Sequence, residues 1–217
     1  MVGLFGILQE DPRLFVILVV SLLISISIHE FSHAFIANKL GDPTAKNAGR
    51  ISINPLAHLD PLGTLTLLFA GFGWGKAVPI NYYNFKNPKR DAAIVSFAGP
   101  GSNFALAILL TLTVKAFDVF FGSNPLALLP SLIVLLSKFL YPIILYNIVL
   151  GVFNLIPVEP LDGFKIVNGL LPPRLAVQWV RLAPYGLYIL IILLITGTTS
   201  KIIYPFVNLF INIANLR

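Results

Sequence analysis

Residues 14–38 read LFVILVVSLLISISIHEFSHAFIAN, and this stretch decides the fold. Arg13 and Lys39 bound it, and it is long enough to cross a bilayer as a helix, which takes about 20 apolar residues. Inside it sit His29, Glu30 and His33. Ionisable side chains are costly at membrane depth and mark functional sites there. On a helix, residues four apart stand one turn apart on one face, so the two imidazoles can share one divalent cation. Glu30 stands beside that position as a candidate general base. The stretch therefore predicts a spanning helix that carries a metal-dependent hydrolytic centre.

Composition agrees with a membrane setting. Of 217 residues, 57% are hydrophobic and 11% charged, against roughly a quarter charged in a soluble domain. One all-α, polytopic membrane domain over residues 1–217 is the economical organisation. The net charge of +6 raises nucleic acid as a partner, but the basic residues form no continuous stripe. They fall between apolar runs, where the positive-inside rule puts them, so the expected partner is the lipid bilayer and not a nucleic acid. There is no cysteine, which removes disulfides, thiolate ligands and cysteine nucleophiles. Any metal must use imidazole and carboxylate. The first apolar run is too long for a signal peptide, lacks a small-residue cleavage site and carries the candidate ligands, so it is expected to be retained.

Further apolar runs predict about four to six transmembrane helices. After the first run comes a polar stretch, Lys39 to Pro61, with Gly-Asp-Pro and Asn-Pro turn signals. Within it, Arg50 to Asn54 alternates polar and apolar side chains and reads as a short strand. Leu62 to Trp74 is apolar, glycine-rich and too short to span, so a re-entrant piece is expected there. Ala77 to Asn81 is a second candidate extended segment, and either segment offers an edge to an unwound strand. Ala92 to Phe121 is the second predicted span, with Lys115 and Asp118 near its far end. Leu126 to Ile156 exceeds one crossing, and Lys138 with Tyr141-Pro142 predicts a division into a surface piece and a span from about Phe139. Ala183 to Gly197 and the shorter Ile202 to Ile213 close the chain. If Lys39 to Asp91 and Pro157 to Arg181 share one side, that side holds ten of the fifteen basic residues and is expected to be cytoplasmic.

A catalytic zinc site takes three protein ligands and an open water position. His58 is the one histidine left, beside Pro61. Asp162 is the stronger candidate, in Asn154-Leu-Ile-Pro-Val-Glu-Pro-Leu-Asp-Gly163, where two prolines and a glycine break the helix and let a carboxylate turn inward. Leu-Asp-Gly is also an ordinary helix cap or turn, and Glu159 is an alternative ligand or a lip residue facing water.

This constellation resembles the site-2 protease family of intramembrane zinc metalloproteases. The resemblance rests on His29-Glu-Phe-Ser-His33, on Asn154 through Asp162-Gly163 and on Gly99-Pro-Gly-Ser-Asn103 between them. It covers roughly Ser27 to Lys165. Gly41 to Lys46 and Asn54 to Pro61 look like the small prokaryotic branch without PDZ or CBS domains. The resemblance implies Zn2+ held by His29, His33 and Asp162, with Glu30 as base and Asn154 stabilising the oxyanion. It implies hydrolysis of peptide bonds in unwound transmembrane segments of a protein or peptide substrate, near the cytoplasmic face of a prokaryotic cell membrane. Glu159 departs from the family pattern, which has a small or apolar residue between the prolines.

The residues also admit other readings. Asn154 could bond a neighbouring helix, and Asn103 with its glycines could serve close helix packing. His58, Glu159 and Asn103 could also act as gate or substrate-contacting residues. Water would reach a buried site most easily at Gly71 to Gly75 or at the broken helix of Pro157 to Pro160. The rival function is a non-proteolytic zinc-binding membrane scaffold or permease. Such a site needs no acid between its histidines.

Overall fold

The structure, a computed structural model, describes residues 4–70, 73–121 and 128–214, without the side chains of 70, 118, 120, 121, 128–137 and 214. The middle of the glycine-rich stretch, Gly71 and Phe72, the Leu126 start of the third run and the Asp118 side chain lie outside the description. The described part is helical: α1 (Leu4–Glu10), α2 (Pro12–Lys39), α3 (Thr44–Asn47), α4 (Pro61–Ala70), α5 (Pro88–Phe121), α6 (Leu128–Asn154), α7 (Asp162–Leu170), α8 (Pro173–Val180), α9 (Gly186–Ile195) and α10 (Thr198–Ala214).

Local chemistry sets the bounds of α2. Asp11 accepts from the N–H groups of Arg13 and Leu14, and Pro12 supplies a first residue with preset φ. At the other end Gly41 adopts φ +106°, the left-handed region that favours glycine, and the helix stops. Asp42 follows in the turn. It is fully buried and accepts from Thr44 N and Oγ1, Asn81 N and Asn84 Nδ2. Burial penalises its charge, but these four donors outweigh that and hold its carboxyl below the usual range. Helix α5 begins where Asp91 accepts from Asn87 N–H.

Among the described residues, three segments are long and apolar enough to cross a membrane: Pro12–Lys39, Pro88–Phe117 and Pro173–Ile195. Lys138–Asn154, the described part of the next helix, is apolar but shorter. The last of the three spans begins upstream of the expected Ala183.

Two expectations are corrected. Helix α6 runs unbroken through Pro142, so the expected break there does not form. Proline interrupts one hydrogen bond of a membrane helix, and the packed neighbours and adjacent turns hold the remainder. No strand forms among the described residues. Arg50 to Asn54 and Ala77 to Asn81 are irregular and form no ladder, and pairing is limited to an isolated antiparallel bridge, Leu59 to Gly75. Arg50 reaches out of its segment to the carbonyls of Lys76 and Ala77, so a side chain, not a backbone ladder, links the two pieces.

Helices α2, α5 and α6 pack on one another and form the centre, and α7 lies against α5. Ala107, Ile144, Ile148, Val152 and Val207 form one apolar core between α5, α6 and α10. Ala37, Phe85 and Val95 form a second at the end of α2. Apolar contact alone does not hold membrane helices together, because lipid is equally apolar; small residues and buried polar contacts do. The ten-residue α4 is too short to span and packs against α1, with Phe5 and Phe69 rings 5.6 Å apart. A side chain on Gly63 would collide with the Trp74 carbonyl, so this piece returns tightly on itself.

Candidate metal centre

His29 and His33 lie four residues apart on α2, and both are buried. Their Nε2 atoms are 3.0 Å apart. Asp162 is the first residue of α7, and the N-cap position before it is held by Leu161. Its Oδ2 lies 3.2 Å from each Nε2. Among the described residues, these three form the group of histidine and acidic side chains able to hold a metal ion.

The donor set fits zinc. Zinc bonds of about 2.0–2.2 Å in tetrahedral array set donor atoms about 3.3 Å apart, close to the edges of this triangle. Oδ2 of Asp162 is buried, near both imidazoles, yet has no hydrogen-bond partner of acceptable geometry. Its carboxyl is held well below the usual range: burial opposes the charge, and the two imidazoles overcome it. Gly99 of α5 faces the triangle. A Cβ there would fall 2.5 Å from His33 Nε2 and 2.6 Å from His29 Nε2, so glycine keeps the donor side of both rings clear.

The other nitrogens of the two rings are fixed from α5. His33 Nδ1 is 2.7 Å from the Val95 carbonyl, and His29 Nδ1 is 2.6 Å from Asn103 Oδ1. Val95, Gly99 and Asn103 follow at intervals of four, one stripe of α5 laid against α2. Metal-ligating histidines characteristically donate their second N–H to such partners, which orients the ring. Asn103, expected as a packing, gate or substrate residue, is thus a partner of His29.

A cavity of about 520 Å³ is lined by His29, Glu30 and Asn154, with Trp74, Leu67 and Leu161 among its other walls. Glu30 is half-buried and open to that space. Asn154 donates to its own helix, at Leu150 O, 2.9 Å away, so it does not tie a second helix.

His58 lies elsewhere. It is fully buried, with Nε2 2.7 Å from Ser52 O and Nδ1 3.4 Å from an Arg50 nitrogen. Both ring nitrogens face protein groups, and neither joins the triangle. Glu159 packs against Gly186 at the start of α9, where a Cβ on that glycine would collide with it. It is not part of the ligand group. Sequence reading missed Gly99 as a site residue and passed over Asn147, which holds Asn103. Asn147 carried a usable signal, a lone amide inside an apolar run. Gly99 carried little beyond its place in Gly-Pro-Gly.

Residues 17–196 match the protein family described as Peptidase family M50. The protein YwhC of Bacillus subtilis, provisionally named a zinc metalloprotease, is 38% identical over 194 residues, which cover 88% of this chain and 85% of that one. Rip2 of Mycolicibacterium smegmatis, with the same provisional designation, is 31% identical over 216 residues, 93% of this chain and 75% of that one. The zinc metalloprotease MJ0392 of Methanocaldococcus jannaschii is 26% identical over 207 residues, 94% of this chain and 50% of that one. No solved structure matches.

Proposed function

Because this chain belongs to Peptidase family M50, we propose that it is an intramembrane zinc metalloprotease that cuts unwound transmembrane segments of membrane proteins near the cytoplasmic face. The observation that carries this reading is the convergence of His29, His33 and Asp162 within 4.8 Å, beside a cavity that Glu30 and Asn154 also line. The similar chains named zinc metalloproteases support the choice of metal and of reaction.

His29, His33 and Asp162 are the residues that would hold the ion. A zinc ion bound there supplies Lewis acidity, polarising the scissile carbonyl and making water nucleophilic near neutral pH. The rest falls to the protein. The Glu30 carboxylate takes a proton from the attacking water and returns it to the leaving nitrogen, as the new carbon–oxygen bond forms and the carbon–nitrogen bond breaks. The Asn154 amide lies on the same cavity and offers an N–H to the developing oxyanion. A transmembrane helix hides its peptide groups in its own hydrogen bonds, so the substrate must unwind before it can be cut. The cavity is walled mainly by aliphatic and aromatic side chains, which suits apolar residues of such a segment.

The cytoplasmic assignment follows from the basic residues. Its readout is protease cleavage at the exposed Tyr82–Asn84 turn in inverted but not in right-side-out vesicles. The function itself is tested with Glu30→Gln, measuring bound zinc and cleavage of a model transmembrane peptide. Zinc is expected to stay at wild-type stoichiometry while the rate falls by about 100-fold or more. Normal cleavage by this variant refutes Glu30 as base. A wild-type protein that binds zinc but cuts no membrane peptide favours the scaffold.

A further inference from the structure

Three buried polar side chains meet where α2, α5 and α6 cross: Ser25, Asn103 and Asn147, each 0% exposed. Buried polar residues in membrane helices are often satisfied by their own helix. Thr111 bonds Ala107 O, and Ser21 bonds Ile17 O. Asn147 and Asn103 do more, because their bonds have a direction that ends on His29.

The direction starts at the Ile143 carbonyl, which can only accept. Asn147 is 2.8 Å from it, so the atom facing Ile143 must be the donating Nδ2, which also reaches Ser25 Oγ at 2.8 Å. The other end of Asn147 is then Oδ1, and it accepts from Asn103 Nδ2 at 2.7 Å. The second Asn103 Nδ2 proton goes to the Ser25 carbonyl at 3.1 Å. With both amide protons spent, Asn103 presents only Oδ1 to His29. Turning either amide over would set oxygen against oxygen at buried positions and leave groups unpaired. Oδ1 accepts and cannot donate, so His29 Nδ1 must carry the proton across the 2.6 Å contact. In the neutral ring, Nε2 then carries the lone pair and faces His33 and Asp162.

We propose that Asn147 is a positioning residue: acting through Asn103, it fixes the tautomer and aim of His29. The inference rests on the reading of His29 as a metal ligand. The Nδ1 proton of His33 does not depend on the relay, because it faces the Val95 carbonyl directly. His58 has the opposite arrangement, with Nε2 facing the Ser52 carbonyl. The chain has three histidines, and the two outside the relay serve as internal controls.

The test uses the full chain, purified metal-free and labelled with nitrogen-15 at histidine. In the wild type, His29 and His33 are expected to be protonated at Nδ1 and His58 at Nε2. In Asn147→Leu, the His29 signal is expected to become a mixture of tautomers while His33 keeps its proton at Nδ1 and His58 stays unchanged. Zinc affinity, measured by chelator competition, is expected to fall about 10- to 100-fold. Asn147→Asp, as a neutral acid, keeps one donor and one acceptor and is expected to restore affinity to within about threefold of wild type.

A wild-type His29 whose Nδ1 carries no proton overturns the relay. So does a folded Asn147→Leu protein with unchanged His29 and affinity within about twofold. If Asn147→Leu does not fold, the wild-type tautomers and the Asn147→Asp affinity decide the matter. A wild type that shows the expected tautomers but binds no zinc sinks the metal reading and leaves the relay intact, so the two failures are distinguishable.

Discussion

Replacing Gly99 with alanine places a methyl group where the two imidazoles present their donor atoms. The added Cβ would sit 2.5 Å from His33 Nε2 and 2.6 Å from Cε1 and Nε2 of His29, whereas ordinary contact begins at 3.4 Å. Each ring would have to retreat by about 0.8–0.9 Å, several times the roughly 0.2 Å that zinc–ligand distances tolerate. A flexible side chain could swing away cheaply, but these rings are pinned at 2.6 and 2.7 Å by Asn103 and Val95. Withdrawal of α5 offers no escape, because both anchors ride on the same stripe of α5 as Gly99 and would leave with it. Zinc affinity is therefore expected to fall by at least about 100-fold, or about 2.7 kcal/mol. Alanine is also the better helix former by about 0.5–1 kcal/mol, so the loss should appear in metal binding before it appears in folding. The assay is chelator competition on the folded protein beside Gly101→Ala, where the new Cβ meets no atom nearer than 3.3 Å and its nearest neighbours belong to the Phe97 ring. Zinc affinity in Gly99→Ala within about threefold of wild type would refute the reasoning, as would an equal loss in Gly101→Ala.

Two further outcomes are expected. Asn154→Ala should lower kcat by about 100- to 1,000-fold with little change in KM or bound zinc, because an oxyanion donor acts only in the transition state; a change confined to KM would move Asn154 to substrate binding. The Asp42 carboxyl is held below its unfolded pKa by four donors, so its stabilisation is complete above about pH 4 and is lost as the pH falls through the lowered native value. The thermal stability of the metal-free protein should therefore fall below about pH 4, and Asp42→Asn should flatten that part of the profile; an unchanged slope in the variant would assign the acid sensitivity to other groups.

Much of the site was legible because its first half is local. His29, Glu30 and His33 sit within one helix, where a spacing of four specifies a shared face whatever the rest of the chain does. The breaker-rich stretch from Pro157 to Gly163 likewise announced a helix end able to turn a carboxylate inward, and Asp162 stands there as the first residue of α7. His58 and Glu159 could be set aside as ligands only with their neighbours in view: a histidine is a ligand or a core residue according to what faces its two nitrogens. The alternation at Arg50 to Asn54 misled because a side chain, and not a backbone ladder, joins that segment to Lys76 and Ala77. Pro142 misled because a packed membrane helix absorbs a missing hydrogen bond that an isolated helix would not.

The chain alone determined that it carries helices long and apolar enough to cross a membrane, that any metal must be held by imidazole and carboxylate, and that two imidazoles share one face of a helix. Those conclusions follow from apolar length, the absence of cysteine and the helical repeat, all properties of neighbours along the backbone. Only the packing of α5 and α7 against α2 decided that Asp162 meets the two imidazoles, that Gly99 leaves room beside them and that Asn103 lies against His29 Nδ1. Such contacts join segments far apart in sequence, and no local periodicity encodes where distant helices meet.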